Sequence, residues 1–283
     1  MKALTRESAI QMLNKVPEVT LYFWVIKIMA TTVGETAADF LNFHLKLGLT
    51  GTSVVMGILL AIFLFMQFRT RRYVPWLYWM VVVLISIVGT LITDNLVDNF
   101  GVPLETTTVA FGVALLATFG AWYTSERTLS IRTIVTTRRE LYYWAAILFT
   151  FALGTAAGDL AAEGLSLGYA KSTLIFGALI GLVSVAYYVF KANAVLAFWI
   201  AYILTRPLGA SWGDYLSQPV ANGGLGLGTV LTSMIFLSTI VALVIVLTVS
   251  RKDMLGQSTS GPGALMEPAI LSADDDAHSA GRR

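Results

Sequence analysis

Five acidic residues stand where few acids are expected. Glu35, Asp39, Asp94, Asp159 and Asp214 lie in otherwise apolar stretches. Hydroxyls precede them by four or eight residues, at Thr31, Ser86, Thr90 and Thr155, and the bases Lys27 and Arg206 share the same register. The chain has no cysteine and only two histidines, His44 and His278, too few for an imidazole cage. An oxygen-rich donor set of this kind suits a hard or borderline cation such as Mn²⁺, Mg²⁺ or Ca²⁺, or protons, and disfavours soft copper. Glu35 and the four aspartates are the expected metal ligands. Thr31, Ser86, Thr90 and Thr155 are expected as secondary oxygen donors along a pathway that also passes Lys27 and Arg206. The two bases are expected to pair with Glu35 and an aspartate, or to act as displaceable internal cations.

The elements that must position these groups are helices, because residues four apart lie one above another on a helix face. The resulting stripes read Lys27, Thr31, Glu35, Asp39; then Val82, Ser86, Thr90, Asp94; then Ile147, Phe151, Thr155, Asp159; then Tyr202, Arg206, Ala210, Asp214. Polar side chains at membrane depth turn inward, since lipid offers them no partner. The four stripes are therefore expected to converge.

They belong to a fourfold internal repeat. Trp24, Trp79, Trp144 and Trp199 stand 55, 65 and 55 residues apart, each preceded by an aromatic residue: Phe23, Tyr78, Tyr143 and Phe198. Ten residues after each tryptophan comes Gly34, Gly89, Gly154 or Gly209, and five later the aspartate. Each glycine has a small residue four positions on (Ala38, Thr93, Gly158, Gly213), the spacing that lets membrane helices approach closely. This signature resembles a bacterial polytopic membrane-protein family with four tandem copies of a two-span repeat of unknown function, each carrying a conserved tryptophan. The resemblance covers residues 19–250 and implies an architecture but no chemistry.

Composition agrees with membrane residence. Of the 283 residues, 56% are hydrophobic and 13% charged, against about 25% charged in soluble domains. Mean hydropathy is +0.73. Soluble enzymes and nucleic-acid binders are excluded. Turn residues and charges divide the chain into eight spans at about 19–41, 50–68, 74–96, 106–124, 139–162, 170–190, 192–216 and 228–250, each near the length needed to cross a bilayer. The fold class expected is an all-α integral membrane protein, eight transmembrane helices arranged as four parallel-repeated helical hairpins. Basic residues gather at Lys15, at Arg69, Arg71 and Arg72, at Arg127 through Arg139 and at Arg251, while the opposite loops hold Lys46 and Lys171 among Asp98, Glu105 and Glu163. That bias places both termini in the cytoplasm, in a cell's inner membrane. The tryptophans are then expected as cytoplasmic interface anchors. The aspartates follow roughly 22 Å farther along, in the outer part of the membrane.

The organisation expected is a cytoplasmic N-terminus at 1–18, a membrane half at 19–124, a cytoplasmic linker at 125–138, a second half at 139–250 and a disordered tail at 251–283. The linker would hinge one half against the other. The glycine-rich Gly223–Gly228 stretch has no preceding strand and is no nucleotide loop. Nothing in the chain argues for catalysis or a cofactor. The function expected is transport of a cation, through efflux of a divalent metal such as Mn²⁺. The alternatives are a proton-coupled carrier of a small organic solute and a non-transporting scaffold or sensor. The expected partners are the cation or proton and the lipid bilayer, with no nucleic acid; the sequence leaves the oligomeric state open.

Overall fold

A computed structural model describes residues 14–44 and 48–251. The expected tail, beyond Arg251, lies outside these residues, as do residues 1–13, Lys46, His278 and the side chain of His44. The described residues form eight long α-helices and no strand: α1 (Leu21–His44), α2 (Gly48–Arg69), α3 (Pro75–Asp94), α4 (Leu104–Glu126), α5 (Thr137–Asp159), α6 (Tyr169–Tyr188), α7 (Ala194–Ser217) and α8 (Thr229–Ser250). Seven are long and apolar enough to cross a membrane. The exception, α1, is 24 residues long and carries Lys27, Glu35 and Asp39. Of those three, Glu35 pairs with Arg206 of α7. The protein is an all-α membrane protein built on the eight expected elements.

Local chemistry sets the helix ends. Pro75 opens α3, where its missing N–H costs nothing. Asn193 caps α7 by accepting from the Val195 and Leu196 amides at 3.0 and 3.1 Å. Past Asp94 and Asp159 the chain widens into π-helical turns, Asn95–Asn99 and Leu160–Gly164, with Phe100 N–H donating to Asn95 O and Leu165 N–H to Leu160 O. Pro207 leaves α7 continuous.

The odd-numbered helices form a closed central ring, α1–α3–α5–α7 and back to α1. The even-numbered helices lie outside it. Buried residues make up 56–61% of the spans of α3, α5 and α7 but 6–22% of the outer ones. Each outer helix packs chiefly on the inner helix of the following repeat: α2 on α3, α4 on α5, α6 on α7, and α8 on α1. Hairpin partners in sequence are thus not the main partners in space.

The repeated glycines explain the ring's closeness. A Cβ at Gly34 would overlap the Ser86 side chain, and one at Gly154 would overlap that of Arg206. At Gly209 it would overlap Thr31, and at Gly89 it would meet Phe151 Cβ at 2.7 Å. In every case the intruding residue stands seven after the tryptophan of the next repeat, and the fourth contact returns to the first. The glycines are helix–helix seams, as their spacing predicts.

The tryptophans correct the expectation of interface anchoring. Trp79, Trp144 and Trp199 are buried in the bundle. Each indole packs on the aromatic residue preceding the tryptophan of the repeat before it, with ring centroids 5.6 Å apart for Trp79 on Phe23 and 5.5 Å for Trp144 on Tyr78. Trp199 on Tyr143 and Trp24 on Phe198 follow at 6.3 and 5.7 Å. The reason is the ring itself: four helices presenting bulky aromatics at one level bury most of that surface against each other.

The linker packs against this end. Ile131 and Ile134 are buried, and Trp199 Nε1 donates to Leu129 O at 2.9 Å. The N-terminal segment crosses beside it, Lys15 N donating to Ile134 O and Tyr73 N to Asn14 O. Lys15 Nζ reaches Glu140 Oε2 at 2.6 Å and Phe68 O at 3.2 Å, and Gln67 Nε2 donates to Glu140 Oε1. The two halves meet across α3–α5 and α7–α1 through the same glycine contacts that join helices within each half.

Candidate cation site at the aspartate end

The ring interior is stacked in levels. At the tryptophan end lies the aromatic level of Phe23, Tyr78, Tyr143 and Phe198, where the Tyr78 and Tyr143 hydroxyls are 2.5 Å apart. Next come Lys27 and Tyr202, both fully buried. Lys27 Nζ sits 4.0 Å from the centre of the Phe151 ring and 4.3 Å from that of Tyr202, and has no hydrogen-bond partner among the described residues.

Above it Arg206 ties the repeats together. Its side chain is fully buried; Nη2 donates to Glu35 Oε2 at 2.9 Å, to Thr155 Oγ1 at 2.7 Å and to Thr90 Oγ1, while Nη1 donates to Thr31 O at 3.0 Å. One guanidinium from α7 thus holds α1, α3 and α5. Arg206 meets the expectation of pairing with Glu35. Lys27, expected to pair likewise, meets the faces of Phe151 and Tyr202 and no carboxylate partner among the described residues.

At the far end the aspartates surround an open cavity of about 150 Å³. Glu35, Asp39, Asp94, Asp159 and Asp214 all line it, so the structure gathers every expected acidic ligand into one space. Carboxylate oxygens of Glu35, Asp159 and Asp214 lie within 4.8 Å of one another, close enough to share an ion. Asp39 and Asp94 stand around the same space outside that triad.

The hydroxyls are distributed differently from their expected role. Thr90 and Thr155 accept from Arg206, beneath the cavity. Thr31 Oγ1 donates to Ile28 O at 2.5 Å, and Thr31 and Ser86 fill the seams opposite Gly209 and Gly34. Helical register aligned these groups along a stripe, but the close approach at the glycines turns the level seven after each tryptophan into contact surface.

Two rim acids, Asp98 and Glu163, were assigned to the loops by sequence and also line the cavity, brought back by the π-helical turns. Tyr169 donates to Glu163 at 2.9 Å. Seven acids therefore face one small space, with no basic residue among the described lining groups. Carboxylates so placed repel unless a cation or shared protons lie between them. Sequence reading also passed over the buried Lys15–Glu140 pair. Its signal was present: Glu140 stands seven before Ile147, two helical turns back on the face that carries the stripe.

Comparison with known families supports the repeat. The family described as Repeat of Unknown Function (DUF347) matches four times in tandem, at residues 22–73, 77–128, 142–193 and 197–253. No curated protein and no solved structure matches the chain.

Proposed function

The chain belongs to this family of fourfold repeats, and from the geometry of its aspartate end we propose that it carries a cation across the membrane, exporting a divalent metal such as Mn²⁺. The observation that carries the reading is the convergence of equivalent acids from all four repeats on one open cavity, three of them within 4.8 Å. Glu35, Asp159 and Asp214 bind the ion, while Asp39 and Asp94 attract it. An all-oxygen triad favours Mn²⁺, Mg²⁺ or Ca²⁺ over softer metals. Arg206 stands beneath as a tethered cation that neutralises Glu35 when the ion is absent. An aspartate side that is open and an interior closed toward the tryptophans by side chains support a carrier over an open pore. The excess of Lys and Arg at the tryptophan end supports a cytoplasmic location for that end and both termini, and with it a cavity that faces outward across the inner membrane.

The test is flux in proteoliposomes with a Mn²⁺-sensitive dye inside. Wild-type protein is expected to pass Mn²⁺, and Glu35→Gln, Asp159→Asn and Asp214→Asn to lose the flux while eluting as folded protein. If all three retain it, or if none of Mn²⁺, Mg²⁺ and Ca²⁺ moves through the wild type, the reading fails. Proton flux independent of any metal would point instead to a carrier of a small organic solute.

A further inference from the structure

The buried charges beneath the cavity do not cancel. Arg206 has Glu35 as its acidic partner. Lys27 is as deeply buried and has no hydrogen-bond acceptor among the described residues. Both cations face one ring, Lys27 Nζ at 4.0 Å and the Arg206 guanidinium carbon at 5.6 Å from the centre of Phe151. The groups around Lys27 offer no carboxylate at its level. From α7 it faces Tyr202 and Arg206, from α5 the uncharged Phe151, and α3 contributes Tyr78 one level down. The lipid-side neighbour α8 contains no titratable side chain.

Such a chamber accepts Lys27 in either protonation state. The ammonium is held by two aromatic faces, which attract a cation without accepting a conventional hydrogen bond. The neutral amine requires no acceptor. A buried lysine held only in its charged form would normally be given a carboxylate or several carbonyls. Here the carboxylate of Glu35, eight residues along the same helix, is already bound by the arginine above.

We propose that Lys27 carries a proton that leaves when a metal cation takes Glu35 from Arg206, making the protein a cation–proton exchanger. This rests on the cation reading above and adds its coupling ion. When the metal engages Glu35, Asp159 and Asp214, the guanidinium loses its counter-charge one level above Lys27. Two uncompensated cations would then share Phe151. Release of the Lys27 proton removes one of them. The N–H bond breaks with its electron pair left on Nζ, and the proton passes to solvent. A divalent ion entering as one proton leaves raises the charge of the interior by one unit.

The experiment is calorimetric titration of the purified full-length protein with Mn²⁺ in two buffers of equal pH and different ionisation enthalpy. The difference counts protons released per ion bound. Wild type is expected to release about one proton per Mn²⁺ more than Lys27→Met or Lys27→Arg, since methionine has no proton to give and arginine does not give one up. Equal counts in wild type and variants overturn the proposal while leaving the cation site standing. Should Lys27→Met fail to fold, Lys27→Arg decides alone, because it keeps the charge and nearly the length. A wild-type count of zero overturns the proposal without any variant. No Mn²⁺ heat in the wild type removes the cation reading itself, and with it this extension.

Discussion

Arg206–Glu35 and Lys15–Glu140 are both buried ion pairs, one in the ring interior below the aspartate cavity and the other at the tryptophan end. Their surroundings differ. Glu140 is shared between Lys15 and Gln67, and Lys15 spends its second bond on a backbone carbonyl, so each charge is matched locally. Glu35 opens onto a cavity with six further acids, and Arg206 has a second buried cation, Lys27, beside the same phenyl ring. The first pair is closed bookkeeping of charge and fits a clasp across the N-terminal segment, the last turn of α2 and α5. The second is unbalanced on both sides, which is the arrangement the proposed exchange requires.

The contrast is testable from its largest consequence downward. Glu140→Ala leaves Lys15 buried without its partner and is expected to destabilise by about 3–5 kcal/mol, read as a lowered Tm in detergent that Mn²⁺ does not restore. Arg206→Met removes a buried partner of the same class and lowers Tm similarly. Here Mn²⁺ is expected to recover part of the loss, because a free cation replaces the tethered one. If Mn²⁺ fails to discriminate the two variants, the distinction between the pairs is wrong.

In the wild type, Mn²⁺ at a hundredfold excess over Kd is expected to stabilise by about 2.7 kcal/mol, and Asp159→Asn with Asp214→Asn to abolish that gain. Gly154→Ala forces a methyl into Arg206 and is expected to cost about 1–3 kcal/mol. Gly158→Ala, whose new Cβ would meet Pro207 and Ala210 at 3.5–3.6 Å, is the mild control. A Gly158→Ala loss as large as that of Gly154→Ala would contradict the seam geometry. The smallest effect belongs to Asp98→Asn at the exposed rim, expected to leave Tm unchanged and to weaken Mn²⁺ binding only at low salt, where long-range attraction operates.

Much of this was legible along the chain. The spacing of tryptophan, glycine and aspartate marks four equivalent units, and the spans bracket eight helices whose observed ends fall within a few residues. The i, i+4 stripes identify which face of each odd helix turns inward. All five predicted acids do meet in one cavity, because helical register is a local property and four copies of one register must put equal levels together once they form a ring.

Other features were not written in any single segment. The tryptophans read as amphipathic anchors because indole is at home at an interface. Only the ring shows that an aromatic of the neighbouring repeat is available to bury each one. Thr31 and Ser86 look like pathway donors on a helical wheel, yet the glycine of another repeat approaches so closely that they become packing.

The sequence by itself determined the repeat, the helices, their inward faces and the level at which the acids gather. Tertiary structure alone decided the order of the ring, the covering of each inner helix by the preceding repeat, and the choice of Arg206 over Lys27 as the partner of Glu35. The reason is physical. Periodicity fixes where a side chain starts, whereas its partner depends on how far it reaches across a gap set by helices distant in the chain. Arg206 and Glu35 are separated by 171 residues, and no local pattern specifies which of two buried bases will meet that acid.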